Sequence, residues 1–237
     1  MTDTQAIDNK NTTATRQAFL FDLDGTLIDS VYQHVLAWRE ALHEMDIELS
    51  TWRIHRRVGM SDGLILTALQ RETGRKLSKK EAERLKDLHN SAFHKRLAQV
   101  RPLPGAKELL SMLTRLDVPW AIATSGGMVN ARKAVEMLDA GSKVQLITRD
   151  DVSHGKPFPD LFLTAAQKLK IDIDDCIVVG DSVWDLLASR RAHALGVGIL
   201  AGGYGMDELE QAGAYRVYED PAELMKHIDE LGVQAEV

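Results

Sequence analysis

The feature that most constrains the fold is a repeated alternation of short apolar runs with longer amphipathic stretches. The apolar runs are bounded by Asp, Gly, Ser or Thr and span residues 18–21, 119–123, 146–147, 176–179 and 195–200. The stretches between them have helical length and spacing and span residues 106–116, 129–138, 160–169 and 183–194. Short buried strands that alternate with helices are typical of βαβ units. The sequence therefore predicts an α/β fold with a parallel sheet and helices on both faces.

Residues 30–101 interrupt this alternation. Apolar side chains recur there at the three- and four-residue spacing of one helix face, at Val31, Val35, Trp38, Leu42 and Met45. Ser78 and Glu81 have the spacing of a capping box before a second helix. Two prolines and a glycine punctuate residues 101–105 and predict the return to the sheet. We therefore predict a helical domain at 30–101, inserted into an α/β core that consists of residues 18–29 and 102–237.

The charge and the amino-acid composition of the chain make several classes of protein less favoured. The formal net charge of -6 does not favour binding to nucleic acid or to an anionic membrane surface. Cys176 is the single cysteine, which suits a reducing compartment, and no apolar run is long enough to span a membrane. Residues 1–17 are polar and lack the apolar segment of a secretory signal, so we expect a flexible tail and a cytoplasmic protein.

The first apolar run ends in two carboxylates. Asp22 and Asp24 are two residues apart, and side chains with this spacing on extended chain face the same side. Gly25 allows a sharp turn directly afterwards. An Asp-Gly turn at the end of a strand is the simpler explanation for this segment when it is considered alone.

Three further strand ends carry polar groups. Thr124, Ser125 and Gly126 precede a helix, where a hydroxyl and free backbone N–H groups can bind an anion or merely cap the helix. Lys156 lies in a loop that two prolines constrain, although most lysines are solvated surface groups. His154 beside it is typical of an exposed loop histidine.

The last of these ends contains Asp181 and, one helical turn later, Asp185. Acidic groups at a helix N-terminus can be simple partners of the helix dipole, so a metal site requires other carboxylates nearby. The glycine-rich residues 202–205 match no phosphate-loop pattern, and we expect a loop after the last parallel strand.

The four strand ends complement one another. Ligands bind at the carboxyl ends of parallel strands, so these residues are expected to share one site. Asp22, Asp24 and Asp181 offer the hard oxygen ligands that Mg²⁺ takes. Thr124 and Lys156 offer the hydrogen-bond donor and the cation that a phosphate requires. The combination predicts a magnesium-dependent enzyme that acts on a phosphate ester.

These motifs, in this order, resemble the haloacid dehalogenase superfamily of phosphohydrolases. They are Asp22 to Leu27, Thr124, Lys156 in Gly-Lys-Pro-x-Pro-Asp, and Gly180-Asp181-Ser182-x-x-Asp185. The resemblance covers nearly the whole chain beyond the first residues. It implies a Rossmann-like core and a helical cap inserted after the first motif.

The resemblance also implies roles for individual residues. Asp22 is expected to attack phosphorus and form an aspartyl-phosphate, while Asp24 protonates the leaving group and then activates water. The backbone carbonyl of Asp24 joins Asp22 and Asp181 as a magnesium ligand. Asp185 is expected to orient Lys156 or a water on the metal. Dehalogenase members lack an acid at the position of Asp24, so its presence favours phosphate-ester chemistry.

The substrate is less well defined than the chemistry. We expect a small phosphorylated metabolite, such as a sugar phosphate or phosphoglycolate, with Arg57 of the segment 56–63 among the residues that bind it. A solvated basic helix face explains that arginine equally well. A β-phosphoglucomutase-like mutase is the nearest alternative, although Thr26 and Gly180 favour a phosphatase. A catalytically idle regulatory protein is a third hypothesis, but none of the motif residues is missing. The sequence leaves the oligomeric state open.

Overall fold

The computed structural model describes residues 17–141 and 144–234, except for the side chain of Asp62. The predicted tail therefore lies outside the described residues, apart from Gln17. The strands are β1 (Ala18–Phe21), β2 (Ile28–Asp29), β3 (Arg101–Pro102), β4 (Trp120–Ala123), β5 (Gln145–Ile147), β6 (Cys176–Gly180), β7 (Leu195–Ile199) and β8 (Ala214–Tyr218).

The helices fall into two groups along the chain. The first group lies between β2 and β3 and comprises α1 (Val31–His43), α2 (Thr51–His55), α3 (Asp62–Thr73) and α4 (Lys79–His94). The second group alternates with the later strands and comprises α5 (Ala106–Arg115), α6 (Met128–Met137), α7 (Asp160–Leu169), α8 (Val183–Ala192), α9 (Met206–Ala212) and α10 (Pro221–Lys226). No helix of the described residues is long and apolar enough to cross a membrane.

Within the described residues, the main sheet has six parallel strands in the order β5-β4-β1-β6-β7-β8. This arrangement confirms the predicted Rossmann-like α/β class. Strand β1 lies between β4 and β6, where the strand order changes direction. Phe21 pairs with Ile122 on one side and with Val179 on the other. The residues that follow these three strands therefore meet at one edge of the sheet, which is where ligands bind in such folds.

Two apolar layers cover the two faces of the sheet. On one face, Phe19 and Phe21 pack with Leu109 of α5 and Leu224 of α10. On the other, Leu20 and Val178 belong to a cluster with α7 and α8, which includes Leu161, Phe162 and Ala188. The central strands β1, β4 and β6 are buried on both faces, which explains why they appear in the sequence as continuous apolar runs.

The inserted helices have an apolar core of their own. Val35, Trp38 and Leu42 of α1 pack with Leu85 of α4 and with side chains of α2 and α3. The predicted capping box is present, since Ser78 and Glu81 exchange hydrogen bonds at the start of α4. Strands β2 and β3 form a short antiparallel ladder that joins this region, here called the cap, to the core. The domain boundaries at 29/30 and 101/102 stay a prediction.

The main sheet continues beyond the last predicted strand. Strand β8 pairs with β7 in parallel, so the expectation that residues 202–205 follow the last parallel strand was wrong. Residues 214–216 and Val217 of β8 are exposed or half-buried, and only Tyr218 is buried. An edge strand of this kind lacks the continuous apolar run that marked the other strands.

Candidate active site

Asp22 follows β1 directly and lies at the centre of the edge described above. Its backbone N–H donates to the carbonyl of Val179 over 2.8 Å, which extends the pairing with β6 by one residue. Gly25 then turns the chain with a φ of 86°, in the region that favours glycine. A Cβ at Gly25 would lie 2.5 Å from Asp181 Oδ2, so the turn also brings the backbone close to Asp181.

Lys156 is completely buried, in contrast to most lysines. Its ammonium contacts Asp22 Oδ1 and lies 2.7 Å from Asp185 Oδ1. Burial lowers the pKa of a lysine, but Asp185 and Asp22 outweigh this effect and hold the pKa of Lys156 above its ordinary value. The ammonium is therefore charged and fixed between two carboxylates.

Three buried carboxylates surround this single cation. Oxygen atoms of Asp22, Asp181 and Asp185 all lie within 4.8 Å of one another. Burial and the neighbouring acids raise the pKa of Asp22 to about 7 against the effect of Lys156. The pKa of Asp181 is well above its ordinary value for the same reasons, burial first and then Asp185 and Asp22.

This arrangement fits a metal ion. Three carboxylates against one ammonium leave an excess of two negative charges when all are ionised, which a divalent cation balances. Clustered carboxylate oxygens are ligands for hard cations such as Mg²⁺ or Ca²⁺. From the sequence, Asp22, Asp181 and the backbone carbonyl of Asp24 are the expected ligands. The cluster of carboxylate oxygens contains Asp22, Asp181 and Asp185, and the role of the Asp24 carbonyl stays a prediction. The carboxylate of Asp24 faces other partners.

Asp24 is held by partners other than Lys156. Ser30 donates to Asp24 Oδ1 over 2.6 Å, and His34 Nε2 lies 3.3 Å from the same oxygen. Thr124 Oγ1 donates to Asp24 Oδ2 over 3.5 Å. Burial opposes ionisation, but His34 and Ser30 outweigh it, so the pKa of Asp24 is below its ordinary value. In this state Asp24 is a carboxylate, the form that accepts a proton.

The loop between β4 and α6 brings donors to the same edge. Thr124 is buried, and its Oγ1 accepts from the N–H of Gly126 over 2.9 Å. Ser125 instead donates to the carbonyl of Gly59 in the cap over 3.0 Å. Thr124, Ser125 and Gly126 all line a cavity that Asp22 and Asp24 also line. The predicted anion-binding loop and the predicted acid–base residue therefore face the same space.

Two histidines of the cap reach this cavity and were missed from the sequence. A carboxylate only accepts, so His34 donates through Nε2 to Asp24, and its Nδ1 lies 3.2 Å from His89 Nε2. Burial and the adjacent His34 lower the pKa of His89 well below its ordinary value, so His89 is neutral. His34 is one helical turn before Trp38, and a histidine on that apolar face was the available signal.

Arg57 is not brought into the cavity. Its guanidinium forms an ion pair with Glu72 of α3 and donates to the carbonyl of Arg53. The neighbouring Arg56 contacts Glu208 of the core, and its guanidinium lies 4.0 Å from the ring centroid of Tyr204. Arg57 therefore lies at a contact between elements of the cap, and Arg56 lies at a contact between the cap and the core. The role of Arg57 in binding substrate stays a prediction.

Buried carboxylates and a buried lysine that meet at one edge of a parallel sheet are typical of an enzyme site. The comparison with known families agrees. A model described as haloacid dehalogenase-like hydrolase matches residues 17–193. The chain belongs to the haloacid dehalogenase-like hydrolase family, as an enzyme of its phosphoric monoester hydrolase class.

Individual proteins and one solved structure are also similar to this chain in sequence or fold. Hexitol phosphatase A from Escherichia coli (strain K12) is 32% identical over 193 residues, which cover 76% of this chain and 82% of that protein. Beta-phosphoglucomutase from Bacillus subtilis (strain 168) is 28% identical over 189 residues, which cover 77% and 83%. The crystal structure of a hydrolase from Pseudomonas syringae is 53% identical, with a TM-score of 0.89 over 91% of this chain and 99% of that one.

Proposed function

We propose that this protein is a Mg²⁺-dependent phosphatase that hydrolyses a small phosphorylated metabolite, of the sugar phosphate or phosphoglycolate type, through an aspartyl-phosphate on Asp22. The observation that carries the proposal is the setting of the Asp22 carboxylate. It is buried at a strand end, in contact with the Lys156 ammonium and close to Asp181 and Asp185. Such a carboxylate can act as a nucleophile once the charge of the phosphoryl group is balanced.

Positively charged and hydrogen-bond-donating groups around Asp22 would bind the phosphoryl group. Lys156 contributes a positive charge, and Thr124, Ser125 and the N–H of Gly126 would exchange their present acceptors for phosphoryl oxygens. Asp185 fixes Lys156 through the 2.7 Å contact. Asp22, Asp181, Asp185 and the backbone carbonyl of Asp24 would hold Mg²⁺, which when bound offsets the negative charge on the phosphoryl oxygens.

The reaction then proceeds in two displacements. An oxygen of Asp22 forms a bond to phosphorus while the bond from phosphorus to the ester oxygen breaks, and Asp24 donates a proton to that oxygen. Asp24 is an anion before substrate binds, and the negative phosphoryl group beside it favours its protonation in the complex. In the second step Asp24 accepts a proton from water, water attacks phosphorus, and Asp22 is released with inorganic phosphate.

The cap isolates these steps from solvent. It closes on the core through hydrogen bonds from the N–H of Ser61 to the carbonyl of Lys156, over 3.1 Å, and from Ser125 to Gly59. A covered site protects an acyl phosphate from uncontrolled hydrolysis. The low cysteine count and the negative net charge support a cytoplasmic enzyme whose partner is a small molecule and not a nucleic acid.

The nearest alternative is a phosphosugar mutase, because one relative at 28% identity is named beta-phosphoglucomutase. The two activities share Asp22 and Asp24 and differ in what accepts the phosphoryl group. With a hexose 1-phosphate and Mg²⁺, the proposed phosphatase releases free phosphate. A mutase instead forms the 6-phosphate isomer, and nuclear magnetic resonance of phosphorus distinguishes the two products.

The proposal is tested with Asp22→Asn and an aryl phosphate in the presence of Mg²⁺ or EDTA. We expect the wild type to be active only with Mg²⁺, and the variant to lose roughly 10⁴-fold or more in kcat/KM. Asp174→Asn is the matched control, since it makes the same chemical change at an exposed position. Activity that persists in Asp22→Asn, or in EDTA, contradicts the proposal.

A further inference from the structure

The cavity that Asp22 and Asp24 line extends away from the phosphate-binding loop into the cap. Its volume is about 70 Å³, and one water requires about 10–15 Å³ by the same measure. In this conformation the cavity beside Asp24 therefore has space for a few water-sized groups. The groups that line the cap side of this space have to recognise whatever is esterified to the phosphate.

The cap wall of the cavity is mostly hydrocarbon, with few polar groups. It is formed largely by aromatic and aliphatic side chains, namely Trp38, Val58, Met60, Ile65, Phe93 and Leu97. Its polar members are His34, His89 and Asn90. Among the cap residues whose side chains are described, none that lines the cavity is Lys, Arg, Asp or Glu.

The polar members of this wall offer hydrogen-bonding groups, and His34 among them is already engaged by the carboxylate of Asp24. His89 is buried, its ring centroid lies 4.2 Å from that of Trp38, and its neutral state follows from that burial. His34 stacks on Phe93 with centroids 3.8 Å apart. Asn90 offers an amide, and Asn130 of α6 adds another from the core side. Hydroxyl groups are suitable partners for all of these.

The arginines of the cap segment are engaged elsewhere. Arg53 and Arg57 both pair with Glu72, and Arg56 pairs with Glu208. The cation that does line the cavity is Arg149 of the core. Its Nε lies 3.8 Å from Asp150 Oδ1, and its guanidinium lies against Gly127 in the phosphate-binding loop. Arg149 is therefore placed beside the phosphoryl group and not on the cap wall.

We propose that the substrate is the monophosphate ester of a small, uncharged, hydroxylated compound, and that the cap wall of Trp38, His89, Asn90 and Phe93 rejects a carboxylate or a second phosphate. This inference rests on the proposed phosphatase function and selects among its substrates. Moving an anionic group out of water against a largely apolar wall is costly when no cation of that wall meets it. Hydroxyl groups lose little, because neutral donors and acceptors replace their water.

The test compares substrates that differ only in charge. 2-Hydroxyethyl phosphate is paired with 2-phosphoglycolate, and glucose 1-phosphate with glucose 1,6-bisphosphate. We expect kcat/KM to be about tenfold or more higher for the uncharged member of each pair. A charged member that equals or exceeds its partner overturns the inference. Hydrolysis of p-nitrophenyl phosphate with Mg²⁺ is measured in parallel, and its absence contradicts the phosphatase function itself.

Charge added to the wall should change this preference. Asn90→Lys and Met60→Lys each place a cation at the cavity, and either should shift the ratio of kcat/KM toward 2-phosphoglycolate by about fivefold or more. Gln99→Lys adds the same charge at an exposed cap position outside the cavity and should leave the ratio unchanged. An unchanged ratio in both wall variants, confirmed as folded by circular dichroism, contradicts the inference.

Arg149→Gln separates the cap wall from the core cation. If the cap determines the preference, the variant should affect both members of a pair to a similar extent, because Arg149 lies beside the phosphate-binding loop. A selective loss of activity on 2-phosphoglycolate shows instead that Arg149 binds the carboxylate of that substrate. That outcome overturns the proposal.

Discussion

The two walls of the cavity differ in charge, in burial and in how strictly their residues are fixed. On the core side, Lys156 is fully buried between Asp22 and Asp185, so that each charge depends on the others. On the cap side, aromatic rings, aliphatic side chains and a few polar groups line the space next to Asp24. Buried charges require partners at fixed positions, whereas an apolar wall tolerates many side chains of suitable volume.

This contrast separates chemistry from recognition. Displacement at phosphorus is the same for every phosphate monoester, so the core supplies fixed charges and donors that act on the phosphoryl group. The compound esterified to the phosphate varies between enzymes, and under this proposal the cap wall recognises it. His34 connects the two walls, since it extends from α1 to the carboxylate of Asp24.

Removal of the core cation should have the largest effect. Lys156→Gln leaves Asp22 and Asp185 without their shared partner, so we expect a loss of about 3–5 kcal/mol in the free energy of unfolding without metal. We expect kcat/KM to fall by about 10³-fold, because the phosphoryl group loses its fixed cation. Thermal unfolding and steady-state kinetics measure both effects. Lys168→Gln, at a more exposed lysine, is the control, and an equally small effect in both variants contradicts the role of Lys156.

Asp24→Asn should separate the two chemical steps. An aryl phosphate has a good leaving group that needs no proton, so we expect rapid release of one equivalent of phenolate and then slow turnover. A sugar phosphate requires the proton, and its hydrolysis should fall about 10³-fold without an initial burst. Stopped-flow absorbance detects the burst. If Asp24→Asn slows both substrates equally from the first turnover, Asp24 is not the acid; Asp29→Asn, at an exposed residue, serves as the control.

The titration of Asp22 in the core wall should also make the free energy of unfolding of the metal-free protein depend on pH. The pKa of Asp22 is about 7 in the folded state, which is above its ordinary value, so the folded protein binds more protons than the unfolded chain between about pH 4 and 7. Wild type should therefore lose stability relative to Asp22→Asn as the pH rises through that window. Urea denaturation of both proteins in EDTA gives this difference. A stability of wild type relative to Asp22→Asn that is constant with pH, or that increases as the pH rises, contradicts the assignment.

Addition of Mg²⁺ should reverse this loss. At 100 times its dissociation constant, a ligand of the folded state adds about 2.7 kcal/mol. The effect should be larger at pH 8 than at pH 5, because the carboxylates must be ionised to bind the ion. Asp181→Asn should abolish the response, and Asp174→Asn should preserve it. Equal stabilisation of all three proteins would show that the ion binds elsewhere.

The smallest effect is expected where the cap meets the core. Arg56 contacts Glu208 and Tyr204 at a partly exposed junction, so Arg56→Gln should lower kcat/KM only about two- to fivefold, through weaker closure. High salt should reduce the difference from wild type, since exposed ion pairs are screened. Arg53→Gln, whose ion pair lies within the cap, is the control. A large change in kcat/KM for Arg56→Gln would place this residue in the reaction itself.

The same contrast explains what could be predicted from the sequence. The strand ends were recognisable because each functional group follows an apolar run, and a parallel sheet necessarily brings such ends together. Lys156 was identified in its loop, but its full burial depends on Asp22 and Asp185, which are distant in sequence. Strand β8 was missed because an exposed edge strand has no continuous apolar run.

The cap wall could not be deduced in the same way. Arg57 was expected to bind substrate from its charge and position, but its ion pair with Glu72 forms only when α2 and α3 pack together. His34 and His89 come from different helices, and their approach to Asp24 depends on how α1 and α4 cross. Local sequence patterns do not contain such contacts between helices. Specificity therefore requires the structure, whereas the reaction class does not.

The central claim is that Asp22 carries the phosphoryl group, and chemical trapping tests it directly. Asp24→Asn is mixed with an aryl phosphate and Mg²⁺, quenched in acid within the burst and reduced with borohydride, which converts an aspartyl-phosphate into homoserine. We predict homoserine at position 22 in the peptide that contains residues 18–29, at close to one equivalent per active site. Phenolate release without modification of Asp22, or modification of another residue, contradicts the account.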